Sequence, residues 1–110
     1  MQTGAKLRLY TLDDMMAEAK RNKLKEVRVA TTYNSVPSSD HISITFFYVV
    51  VTALHNGSVM EYREEIAREI IVTPENRKEI AKTVEKRAKE IEKILKEKGY
   101  EILPGIWAYD

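Results

Sequence analysis

"ISITFFYVVVTALHNGS", Ile42 to Ser58, decides the fold. Its first thirteen residues, Ile42 to Leu54, carry no charge. That is well short of the roughly 20 residues a membrane-spanning helix needs. The run is rich in β-branched and aromatic side chains, which suit a strand. It ends at Asn56-Gly57, two residues that tolerate the positive φ of a type I′ hairpin turn. "SVMEYREEIAREIIV" therefore runs back antiparallel as a strand, with a helix over "YREEIAREI" as the competing reading. A two-residue turn sets Leu54 opposite Val59, Val51 opposite Tyr62 and Phe47 opposite Ile66. The period of two then places Phe47, Val49, Val51, Ala53, Met60, Tyr62 and Ile66 on one surface, with Ile70 and Val72 on the same side of their strand. The reverse surface carries Ile42, Ile44, Phe46, Tyr48, Val50 and Leu54. Both faces are apolar, so both need a cover.

Helices on either side of the hairpin supply one cover. "TLDD" starts the first, with Thr11 as N-cap and Asp13 and Asp14 at the positive end of the dipole. Leu12, Met15, Met16 and Ala19 then form an apolar stripe through about Asn22. "EVRVATTY" alternates as a half-buried strand, and "NSVPSSD" is a loop. "TPEN" opens the second helix with Thr73 as N-cap and Pro74 at the first helical position. Ile80, Ala81, Val84, Ala88, Ile91 and Leu95 form its stripe, and Gly99 ends it. The expected architecture is α+β over residues 1–110 as one domain. An antiparallel sheet has strands near 26–33, 41–54 and 59–72, and helices near 11–22 and 74–98 pack on one face. A short C-terminal segment is extended, and its Pro104-Gly105 break confines it to an edge.

The other face lacks a lid. Six apolar side chains left in water forgo several kcal/mol at roughly 25 cal/mol per Å², a large share of a small domain's stability. A second copy of the chain is the simplest cover, since two-fold dimers lead among soluble oligomers. Ile42, Ile44, Phe46, Tyr48 and Val50 are then the expected homodimer interface. The tail, with Ile102, Ile106, Trp107 and Tyr109, is the rival cover.

Composition excludes several functions. No cysteine is present, which removes disulfides, thiolate catalysis, zinc fingers and iron–sulfur clusters, and suits a reducing cytoplasm. Four glycines, none clustered, leave no phosphate loop or dinucleotide fingerprint. The start, "MQTGAKLRLYTLDD", lacks the basic-then-apolar pattern of a secretory signal, so the Asn56-Gly57-Ser58 sequon is read as a turn. Glutamate-rich, glutamine-poor composition suits a thermophile. The net charge is +1, but residues 1–36 hold seven basic and four acidic side chains. No cofactor and no membrane partner are expected.

Three constellations remain. "SSDH", Ser38 to His41, juxtaposes hydroxyl, carboxylate and imidazole, yet sequence neighbours rarely form the directed chain of a triad. It is read as a loop, with no catalytic residue assigned. Asp13, Asp14 and Glu18 on helix one are the carboxylates that a small metal-dependent, nuclease-like enzyme would use; the dipole already explains the first two, and no metal ligand is assigned. "KRNKLKEVR" gathers Lys20, Arg21, Lys23, Lys25 and Arg28. Cations suit a helix C-terminus, but the cluster also reads as a patch for nucleic-acid phosphates, with Arg77, Lys78 and Lys82 extending it.

The order helix–strand–strand–strand–helix over residues 11–98 resembles the double-stranded RNA-binding domain. Pro37 and His41 stand in the loop, and Arg77, Lys78 and Lys82 at the start of the last helix, where that family places a Pro/His loop and a Lys-rich helix start. The chain departs from the family in lacking the glycines before that proline and that helix, and in its longer hairpin. The expected function is a non-catalytic, homodimeric binding module contacting nucleic acid or another protein; the alternative is the metal-dependent enzyme.

Overall fold

The computed structural model describes residues 6–37, 42–55 and 57–104. Along the chain run β1 (Lys6–Leu9), α1 (Leu12–Arg21), β2 (Glu26–Pro37), β3 (Ser43–His55), β4 (Ser58–Glu69), α2 (Pro74–Glu97) and β5 (Glu101–Leu103). The five strands form one sheet in the order β1-β4-β3-β2-β5. The fold is α+β, as the pattern predicts, but the sheet is mixed and not purely antiparallel. The central β4-β3-β2 ribbon is antiparallel, whereas β1 pairs with β4, and β5 with β2, in parallel. A helix lies between β1 and β2 and another between β4 and β5. A helical crossover returns the chain in its starting direction, so strands joined this way run parallel. β1 was not expected at all, and the C-terminal segment takes its edge position as β5.

The hairpin is built as its sequence indicates near the turn. Leu54 faces Val59, Val51 faces Tyr62, and His55 faces Ser58. Gly57 has φ 78°, the left-handed conformation that glycine adopts without steric cost. Farther along, the expected Phe47–Ile66 pair is displaced. Phe47 faces Ala67 and Tyr48 faces Glu65, so Ile66 is the extra residue of a bulge. β4 stops at Glu69, and Ile70 and Val72 are exposed beyond it and do not line the core. β2 continues to Pro37, where "NSVP" had indicated a loop. "SSDH" lies outside the described residues.

Both helices cover one face of the sheet. Met15 and Ala19 of α1 and Ile80, Val84, Ala88, Ile91 and Leu95 of α2 close over Val27, Val29, Phe47, Val49, Val51, Ala53, Met60 and Tyr62. Thr11 caps α1 by accepting from the Asp14 amide at 3.0 Å. Thr73 and Asn76 form a reciprocal capping box at α2. Among the described residues no helix is long and apolar enough to cross a membrane.

Candidate anion-binding groove

Both helices end the same way, and side by side. At the end of α1, the Leu24 amide donates to Ala19 O (2.9 Å) and the Lys23 amide to Lys20 O (3.1 Å). At the end of α2, the Tyr100 amide donates to Leu95 O and the Gly99 amide to Lys96 O, both 3.0 Å. Each pair is a Schellman motif, in which the residue after the cap takes a left-handed conformation. Gly99 does so with φ 94°, and Lys23 with φ 59°. Glycine is free to adopt that geometry. A lysine there costs about 1 kcal/mol, because its Cβ crowds the backbone. Each helix then feeds a strand, and the Glu101 amide donates to Lys25 O at 2.7 Å, joining β5 to the entry of β2.

Between the two turns lies an open groove of about 660 Å³. Met16, Ala17, Leu24, Gly99 and Tyr100 form its floor, and Lys20, Lys23, Lys25 and Lys98 its rim. The Tyr100 hydroxyl donates to Met16 O at 3.0 Å, so the ring alone is left to the groove. Among the described residues, none of these four lysines lies within ion-pair distance of a carboxylate.

The predicted patch is thus assembled in part. Lys20, Lys23 and Lys25 come together. Arg21 turns to Glu18, with Nη1 at 2.6 Å from Oε1. Arg28 lies on β2 between Thr52 of β3 and Leu103 of β5, and lines a neighbouring groove of about 540 Å³ that shares Lys23 and Lys25. Arg77, Lys78 and Lys82 do not extend the patch. They flank a separate groove at the start of α2, about 30 Å from Lys98 along the helix. Lys98 was missed, because only tertiary packing brings the end of α2 to the end of α1; the glycine that follows it was the available signal.

The other constellations offer less. Glu18 is bound to Arg21, and Asp13 and Asp14 are exposed in the first turn. Among the described residues no three His, Asp or Glu side chains are grouped to hold a metal ion. Under α2, Tyr62 donates to Glu64 Oε1 at 2.6 Å, and Arg87 donates through Nε to Oε2 at 2.6 Å and through Nη2 to Oε1 at 3.0 Å. The Arg87 hydrogen bond, against burial, holds the Glu64 carboxyl below its usual range. Burial, reinforced by Glu64, pushes the Tyr62 phenol up to about 12. This cluster ties β4 to α2 and lines none of the grooves described above.

On the sheet face away from the helices, the guanidinium groups of Arg63 and Arg68 lie 5.0 Å from the ring centres of Tyr48 and Phe46. Of the predicted dimer residues, Ile42 is exposed, Ile44, Phe46 and Tyr48 are half-buried, and Val50 is buried. No family model, curated protein or solved structure matches this chain.

Proposed function

We propose that this chain is a non-catalytic binding module that engages an anionic macromolecule through the groove between the ends of α1 and α2. One observation carries the reading. Lys23 keeps a long cationic side chain in a left-handed position that glycine fills without cost in the neighbouring turn. Backbone strain of that kind is retained where the side chain serves a purpose. The three other lysines around the same groove, which have no carboxylate partner among the described residues, supply a purpose, a concentrated positive field.

The test separates folding from binding. Lys23→Gly relieves the strained backbone, so the variant should be as stable as the parent or up to about 1 kcal/mol more stable. Its affinity for labelled polyanions, both oligonucleotides and poly-glutamate, should fall, and that of Lys23→Gly/Lys98→Glu further still. Binding should also weaken as salt rises. Polyanion binding that ignores both salt and these substitutions would end the proposal, and so would its absence at low salt.

A second reading concerns assembly. Val36, Ile42 and Leu54 are exposed along the face opposite the helices, which supports self-association through that face. Its test is the oligomeric state.

A further inference from the structure

Nucleic acids and acidic polypeptides both carry dense negative charge. We infer that the groove between α1 and α2 takes an acidic polypeptide segment with an apolar anchor, not a nucleic-acid backbone. The inference rests on the proposed anion-binding role and narrows it to one class of partner.

Hydrogen-bond donors separate the two classes. Phosphate sites built by a protein backbone use free amide groups held in fixed positions, as at helix N-termini and in nests. Here the chain presents the opposite ends. The amides of Lys23, Leu24, Gly99 and Tyr100 are all occupied by helix carbonyls. The two C-termini that close the groove each carry about half a negative charge. Among the described residues that line the groove, the positive charge comes from the lysine ammonium groups at the rim, on long flexible stems.

The floor supplies the second part. Met16, Leu24 and Tyr100 are half-buried and Ala17 is exposed. The Tyr100 hydroxyl is already used within the chain, so the floor offers apolar surface with little hydrogen-bonding capacity. A sugar–phosphate strand laid across it would desolvate polar groups without replacing their bonds. A leucine or phenylalanine would bury its side chain there, while flanking glutamates or aspartates reach the lysines above. Apolar floor and cationic rim match both halves of such a segment, the geometry of an amphipathic helix laid in a groove.

Fluorescence anisotropy with the full chain tests this. The probes are a short labelled peptide with Leu and Phe flanked by glutamates, its twin with both apolar residues changed to Ser, and a single-stranded oligonucleotide of comparable charge. The apolar acidic peptide should bind about tenfold or more tighter than its serine twin, from burial of the anchor, and tighter than the oligonucleotide. Ala17→Glu, at an exposed floor position that leaves the core untouched, should weaken that peptide about tenfold, as should Lys23→Gly. An oligonucleotide that binds as tightly as the peptide and depends on Lys23 would overturn the inference and leave the anion-binding role standing. Equal affinity for the peptide and its twin would also overturn it. Binding of none of the probes would remove both.

Discussion

Glu64 joins Tyr62 of its own strand to Arg87 of α2, and its energetics are set by charge and burial together. Its carboxylate accepts from Tyr62 and from both arms of Arg87, with its side chain 22 % exposed and that of Arg87 35 %. Charge-assisted bonds of this kind contribute about 1–2 kcal/mol where water still reaches one partner. Glu64→Gln should therefore lower unfolding free energy by about that amount at neutral pH, measured by urea titration. The pH dependence has a definite sign. The folded carboxyl ionises more readily than the unfolded one, so its contribution is complete above the ordinary value of 4.5. It is lost as pH falls through the lower folded value, so the gap between parent and Glu64→Gln should narrow progressively as pH falls below 4.5. Tyr62 acts in the opposite direction. Its phenol is raised from 10.0 to about 12, so stability should decline as pH climbs across that interval. Tyr62→Phe should lack the decline; a variant that retains it would exclude Tyr62 as the source.

At the scale of elements, the helix starts were legible and the helix ends only half so. Thr11 and Thr73 announce their helices because a short hydroxyl side chain can satisfy an orphan amide. The structure adds that Asn76 does more than Thr73. Its Oδ1 accepts from the Thr73 amide at 2.7 Å, and its Nδ2 donates to Ile71 O at 2.8 Å. It thereby fixes both the cap and the turn leading out of β4. Asn76→Ala should cost about 1–2 kcal/mol, more than Thr73→Ala at about 1 kcal/mol; the reverse order in thermal unfolding would assign the turn's rigidity elsewhere. Gly99 marked the end of α2, but nothing in "RNKLK" marked the same motif at Lys23, because the usual residue for that geometry is glycine. The bulge at Ile66 was equally silent, since Ile66 and Ile70 continue the even-numbered apolar alternation in the sequence although the extra residue shifts the core-facing set to Ala67. β1 is four residues long, too short for any period to register. Three of the four rim lysines stood together in the chain; the fourth, Lys98, arrives only through the packing of α2.

The whole molecule sets the limits of self-association. Sequence pattern made the second sheet face a stripe of bare apolar side chains, and that was partly an overstatement. Arginine stems can cover aromatic surface while keeping the charge in water, and Arg63 and Arg68 stand over Tyr48 and Phe46 in this way. What stays open is the ends of the stripe, Leu54 at 71 % exposure and Ile42 and Val36 at 45 % and 42 %. Three central strands about 4.8 Å apart make a ribbon about 14 Å wide and about 40 Å long. Two such faces bury roughly 1,100–1,200 Å² together, at the lower edge of what specific complexes use. A two-fold dimer through this face is therefore expected to be weak and concentration-dependent. Light scattering after size exclusion should give a mass rising toward twice 12.7 kDa as loading increases. Ile42→Lys and Leu54→Lys add charge at exposed positions without touching the helix-covered core, and each should return the monomer mass with unchanged thermal stability. A parent that stays monomeric at high loading would show that the arginine-capped face is already sufficiently covered. Lys-variant dimers as tight as the parent would move the interface to another surface.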